Sequence, residues 1–324
     1  MRCTNKIFCL LCVTTVLLSG CGSKDALINE YNTYSYNNSY INTNAMSVNA
    51  NYFADKLCVT NKINFGTEDT YTEIAKAAGV FNVSTGEVLY NQNIFDVLYP
   101  ASTTKILTAY IVLNDCTLSD VVTISESAVE QDDDSQTCGF KAGDNVTVND
   151  LLYGLMIHSG NDAAEALAEY HSGSIEEFAK VMTKEAHKLG ATQSQFKNPS
   201  GLPDKEHYTS IYDIYLIFNE AIKNEKFVEI INAGSHKIVY TNANGETVEK
   251  TFNNHNRYYT GSVETPEGFE IIGGKTGTTF DAGYCLVLYS KNEAGQDIIS
   301  VVFKADGPYN LYFLMSEILS KFAK

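Results

Sequence analysis

Apolar and polar positions alternate in short, readable segments from about residue 55 onward. Ala78–Val83 and Glu87–Tyr90 are apolar-rich runs separated by Ser84-Thr85-Gly86, which predicts a β-hairpin. Tyr99-Pro100-Ala101 opens a run rich in Ile, Leu, Val and Ala that reads as a helix through Asn114. Asp150–Ile157 and Ala163–Tyr170 carry further helical patterns. Ser174 with Glu177 forms a capping box, Phe178, Met182 and Ala186 continue the stripe, and Gly190 ends it. Another helix is predicted over Ser210–Lys223. Strand character returns at His236–Tyr240, Glu270–Lys275, Tyr284–Tyr289 and Ile298–Phe303. The last stripe, Leu311, Leu314, Met315, Ile318, Leu319 and Phe322, is helical. It lacks flanking basic residues, so core packing is expected rather than a membrane-surface role. This order, strands then helices then strands, predicts an α/β fold with a helical insertion.

The start of the chain follows a different logic. Arg2 and Lys6 precede a short apolar core, Ile7–Leu18, and the small residues Ser19 and Gly20 lead into Cys21. That is a secretory signal pattern, and Leu18-Ser19-Gly20-Cys21 resembles a bacterial lipobox. Residues 1–20 are thus expected to be a lipoprotein signal peptide, with Cys21 the lipidated residue. Sixteen of the 24 residues from Asn29 to Tyr52 are Asn, Tyr or Ser, so 21–54 reads as a flexible tether. The catalytic domain is expected over 55–324, on the extracytoplasmic face of a bacterial membrane.

Composition narrows the function. Among 324 residues, 39 are acidic and 23 basic, a formal charge of −16, which disfavours nucleic-acid binding. Removing 1–20 takes away Arg2 and Lys6 and no acid, so the charge deepens from −16 to −18 and no polybasic anchor remains. Lipid must do the holding. Cys58, Cys116, Cys138 and Cys285 remain after the signal and Cys21 are set aside; three disulfide pairings are open, and free thiols are favoured. No cysteine–histidine spacing suits zinc, so a zinc site has no support.

Three motifs carry candidate chemistry. In Ser102-Thr103-Thr104-Lys105, the three-residue offset puts a hydroxyl and an amine on one helix face at a helix start. The positive helix end favours an oxyanion there, and a lysine in a dry, positive site can serve as a base. Ser159-Gly160-Asn161 follows 57 residues later. Its glycine would allow a tight turn, its serine could relay a proton, and its asparagine could hold an amide. Lys275-Thr276-Gly277, then Thr278 and Thr279, closes a strand-like run. Glycines there admit close approach of another chain, and the lysine and threonines suit a carboxylate. Each motif alone fits a blander role: a capped helix with a solvated lysine, an N-cap cluster, a strand-to-turn junction.

Together and in this order, the three resemble the penicillin-recognising serine enzymes. The similarity extends to Tyr99–Lys105, Leu151–Leu155, Asn198-Pro199-Ser200-Gly201-Leu202, His207-Tyr208-Thr209 and Ala282–Leu286. The chain from about residue 55 is similar to the D-alanyl-D-alanine carboxypeptidases, low-molecular-mass penicillin-binding proteins. That resemblance implies an antiparallel sheet flanked by helices with an all-helical subdomain, the cleft lying between. It implies Ser102 as nucleophile, Lys105 as its base and Ser159 as proton relay. Asn161, Lys275, Thr276, Gly277 and Thr278 would bind substrate, a peptidoglycan stem peptide ending in D-Ala-D-Ala. β-Lactams would acylate Ser102, and no metal or organic cofactor would be required. Many relatives carry a further β-rich domain and an amphipathic anchoring helix, so the lipid on Cys21 is expected to replace that anchor.

Two alternatives remain. A serine β-lactamase of class A uses a Glu, usually within Glu-x-x-Leu-Asn beyond the second motif, and no such segment is found between Asn161 and Lys275. A non-catalytic, lipid-anchored surface module would be expected to have a degraded site, whereas all three motifs are intact. His158 and His207 suit packing or surface roles better than catalysis.

Overall fold

A computed structural model describes residues 57–62, 64–132 and 135–324. The expected signal peptide, Cys21 and the whole of the expected tether, 21–54, lie outside the described residues. Strands β1 (Ala75–Asn82), β2 (Glu87–Gln92), β7 (Glu270–Thr279), β8 (Gly283–Lys291) and β9 (Asp297–Ala305) form a five-stranded sheet in the order β2-β1-β9-β8-β7. Every pairing in it is antiparallel. The first and last parts of the chain thus share one sheet, and the helices between them are an insertion.

Both faces of this sheet are covered, which is why its strands read as near-continuous apolar runs. Val80, Leu286, Leu288, Ile298 and Val302 meet Leu311, Leu314, Met315, Ile318 and Leu319 of the final helix, Pro308–Phe322. That helix therefore packs on the core. On the opposite face Phe81, Val287, Ile299, Val301 and Phe303 join the larger core of the helical region, where Phe81 stacks on Tyr215 with ring centroids 4.1 Å apart.

The helical region holds Lys105–Asp115, Glu126–Val129, Val148–Tyr153, Asn161–Ser172, Ile175–Lys188, Ile211–Ala221 and Glu225–Asn232. Side-chain caps set several starts. Ser174 Oγ accepts the Glu177 N–H, Ser210 Oγ accepts the Asp213 N–H, and Asn224 Oδ1 accepts from Lys226 and Phe227. Beside these helices lies a second, four-stranded antiparallel sheet of β3 (Val121–Thr123), β4 (Asn145–Thr147), β5 (Ser235–Thr241) and β6 (Thr247–Asn253). Of its strands only β5 was predicted from the sequence. Cys58, Cys116, Cys138 and Cys285 are free thiols.

Candidate active site

The turn that carries Ser102 is a constrained piece of backbone. Ala101 has φ 48°, a left-handed value that a residue with a Cβ adopts only when its surroundings impose it. Gly201, with φ 88°, lies so close that a Cβ there would overlap the Ala101 carbonyl oxygen. A single 3₁₀ turn, Ala101–Thr104, then runs into the helix Lys105–Asp115. Ser102 stands at the tip of this unit, and Lys105 Nζ lies 3.0 Å from its Oγ.

Lys105 is fully buried, and neutral oxygens surround its amine. Apart from its contact with Ser102 Oγ, it donates to Asn161 Oδ1 and to the Ser200 carbonyl, both at 2.8 Å. Burial, and then the positive charge of Lys275, hold its ammonium well below the usual lysine range. Its proton is therefore lost more readily than a solvated lysine's, which suits the amine to act as a base beside a hydroxyl.

A second serine–lysine pair faces the first. Lys275, 2% exposed, donates to Ser159 Oγ at 2.9 Å and to the Thr276 carbonyl at 2.7 Å. Burial pushes its ammonium down to about 7. Ser159 reaches it because the helix Val148–Tyr153 ends in a π turn, Gly154–His158, after which Ser159 itself takes φ 66°. The sequence had assigned that turn to Gly160, whose φ is an ordinary −62°. Gly160 is required for space instead: a Cβ there would strike Cys138 Sγ. Asn161 and Asp162 then open the next helix. Asp162 accepts N–H groups from Cys138, Gly139 and Phe140 at 2.7, 2.9 and 3.1 Å, and Asn161 N–H donates to the Gln136 carbonyl at 2.8 Å. The segment 136–140 is thereby tied to the loop that carries Ser159.

The third motif differs from expectation in one respect. Lys275-Thr276-Gly277 does not end its strand; β7 continues to Thr279, which pairs with Gly283 of β8. The glycines do admit close neighbours, but these belong to the chain itself. A Cβ at Gly273 would meet the Ile231 backbone at 2.5 Å, one at Gly274 would strike the Val287 carbonyl, and one at Gly277 would meet Ser102 N at 2.8 Å. The last approach brings the edge strand against the Ser102 turn, so the two serine–lysine pairs occupy one crevice. Thr276 is half-buried and Thr278 exposed on the same strand.

Ser102, Lys105, Ser159, Asn161 and Lys275 are therefore brought together, with Gly277 alongside, while Cys21 lies outside the described residues. Sequence reasoning missed the Ser200 carbonyl as a direct partner of Lys105, and Asp162 as the clasp of the neighbouring loop. His207 is buried. His158 stacks on Phe252, centroids 5.2 Å apart, and its Nε2 sits 3.1 Å from the Thr137 carbonyl oxygen, so both histidines pack.

Mounted on an antiparallel sheet with helices on both faces, this crevice places the molecule among active-site-serine proteins of the penicillin-binding fold. Comparison with known proteins agrees. A crystal structure of a Streptomyces DD-transpeptidase superimposes with TM-score 0.70 at 28% identity, covering 76% of this chain and 95% of that one. A D-alanyl-D-alanine carboxypeptidase DacD from Francisella tularensis gives 0.66 at 27% identity, over 76% of this chain and 69% of that one. In sequence, D-alanyl-D-alanine carboxypeptidase DacF of Bacillus subtilis is 36% identical over 244 residues, 72% of this chain and 58% of the relative. A Streptomyces D-alanyl-D-alanine carboxypeptidase is 33% identical over 250 residues, 73% of this chain and 83% of the relative. The chain belongs to the D-alanyl-D-alanine carboxypeptidase family, whose model matches residues 63–307. It spans a little over half the length of the first two curated relatives it matches, 58% and 56%.

Proposed function

We propose that the protein is a serine-type D-alanyl-D-alanine carboxypeptidase acting on peptidoglycan stem peptides. The observation that carries this reading is the contact between the buried Lys105 amine, its ammonium form disfavoured by burial, and Ser102 Oγ at 3.0 Å. Lys105 takes the Ser102 proton as the hydroxyl oxygen attacks the carbonyl carbon between the two D-alanines. The Ser102 and Thr278 N–H groups stabilise the oxyanion; donors of this kind contribute about 2.7–4 kcal/mol each. Asn161 holds the substrate amide, while Lys275, Thr276 and Thr278 receive the terminal carboxylate along β7. Ser159 passes a proton to the departing D-alanine nitrogen. Water then hydrolyses the ester on Ser102, and a β-lactam acylates the same oxygen.

The test is release of D-alanine from a bis-D-alanyl peptide. The protein should release it and Ser102→Ala should not; nitrocefin turnover without D-alanine release would instead favour a β-lactamase. The lipobox, the tether and the acidic chain support an extracytoplasmic, lipid-anchored enzyme held through Cys21. Cys21→Ala should move the protein from the membrane to the soluble fraction, and unchanged retention would defeat the anchor.

A further inference from the structure

A neutral lysine amine has two N–H bonds and one lone pair, so its direction depends on which acceptors take the two hydrogens. Asn161 Oδ1 and the Ser200 carbonyl, each 2.8 Å from Lys105 Nζ, take them. The lone pair is left for the Ser102 hydroxyl at 3.0 Å. The Ser200 carbonyl thus aims the base as much as Asn161 does, yet no helix or strand holds it. Its segment is wound instead around the Asn198 side chain. Asn198 Oδ1 accepts from Ser200 N–H, Ser200 Oγ, Gly201 N–H and Leu202 N–H at 3.3, 3.2, 2.7 and 3.1 Å.

This wound segment is fastened to the turn and helix that carry Ser102 and Lys105 at two points: Thr108 Oγ1 donates to the Pro199 carbonyl at 2.7 Å, and one imidazole bridges the start of the segment to Thr104. His207 Nδ1 accepts the Lys197 N–H at 3.2 Å, which fixes the remaining proton on Nε2. Nε2–H then donates to Thr104 Oγ1 at 2.9 Å, on the residue just before Lys105. The ring is 1% exposed and packs edge-on to Phe196, centroids 5.4 Å apart. His207 therefore joins the start of the Ser200 segment to the unit that carries both Ser102 and Lys105, and Thr108 joins its middle.

We propose that His207 is a positioning residue for acylation: by bridging Lys197 N–H and Thr104 Oγ1 it holds the Ser200 carbonyl where it turns the Lys105 lone pair toward Ser102. The inference rests on the functional reading above and extends it to a residue that touches no reacting atom. Burial keeps the imidazole neutral, pushed down to about 4, so the bridge stands at neutral pH. Glutamine keeps both an N–H donor and an oxygen acceptor on a side chain longer than asparagine's, whereas phenylalanine keeps the ring and loses both bonds.

The experiment measures acylation of the full chain by a fluorescent penicillin across pH, with melting temperature in parallel, for His207→Phe, His207→Gln, Thr104→Val and the His207→Phe/Thr104→Val double variant. Displacements near 1 Å at a reacting centre cost about 10²-fold in rate. His207→Phe should lose on that order, and its acid limb should move to higher pH as water reaches Lys105. His207→Gln should recover most of the rate, and the double variant should be no slower than the slower single variant. A His207→Phe protein that melts earlier but is acylated at the wild-type rate with an unmoved acid limb would overturn the proposal. So would two single losses that multiply in the double variant. Wild-type protein that penicillin does not acylate would overturn the functional reading itself, which separates the two failures.

Discussion

Gly277 and Ser102 touch through their backbones: a Cβ at Gly277 would come within 2.8 Å of the Ser102 nitrogen and 3.0 Å of the Thr103 nitrogen. The edge strand β7 is docked on the tip of the nucleophile turn with no room for a methyl group. Gly277→Ala must push β7 away from that turn and carry Thr278 with it. Penicillin acylation should fall by about 10²-fold or more. An edge strand can yield without unravelling the sheet, so the melting temperature should fall little. Acylation of the alanine variant at the wild-type rate would contradict the docking.

The buried Lys105 amine predicts how the reaction responds to acid. Its ammonium is held well below the usual lysine range by burial and by Lys275, so the base form extends to lower pH than a solvated lysine's and is lost on acidification. The acylation rate should therefore rise with pH along a limb lying far below that of a solvated lysine. Lys105→Arg keeps a charge that proteins do not remove, so it should lose about 10²–10⁴-fold and show no such limb. A wild-type rate flat from pH 5 to 8 would speak against Lys105 as the base.

Lys275 acts in the opposite sense. Its ammonium titrates near 7, so positive charge is present below that pH and fades above it. A substrate carboxylate drawn by that charge binds less well in alkali. KM for the bis-D-alanyl peptide should rise about tenfold between pH 6 and 9, in line with a hydrogen bond to a charged group. Lys275→Gln should show a high KM at every pH. A KM that is level across this range in the wild type would remove Lys275 from carboxylate binding.

These predictions draw on residues of unequal visibility. Ser102, Lys105, Ser159, Asn161 and Lys275 were legible because their chemistry resides in particular side chains at fixed offsets. Ser200 acts through a carbonyl that every residue owns, so only Asn198-Pro199-Ser200-Gly201 hinted at a wound turn. The role of Gly160 was misplaced because a glycine required for space and one required for a left-handed turn look alike in a sequence. The Lys275-Thr276-Gly277 run resembled a strand end, since glycine and threonine are also turn residues; pairing with β8 extends the strand. Strands β3 and β4 have three residues each, too few to show alternation, and β6 carries only Val248 and Phe252 as apolar residues. The long strands and helices were clear because each supplies several side chains to one of the two cores.

His207 also makes a prediction about stability. Its pKa is about 4 in the folded protein against an ordinary 6.5, lowered first by burial, opposed by Asp204, and lowered again by Lys105. The unfolded chain therefore binds a proton between these pH values that the folded chain refuses. Its contribution to stability is complete above pH 6.5 and drains away as pH falls through about 4. At 1.36 kcal/mol per pH unit, the loss amounts to about 3 kcal/mol. His207→Gln has no proton to accept, so wild-type stability should approach that of the variant in acid and separate from it toward neutrality. Urea denaturation of both proteins from pH 4 to 7.5 measures this difference. Parallel curves over that range would mean that His207 titrates alike in the folded and unfolded chains, and that the imidazole is not held neutral between Lys197 and Thr104.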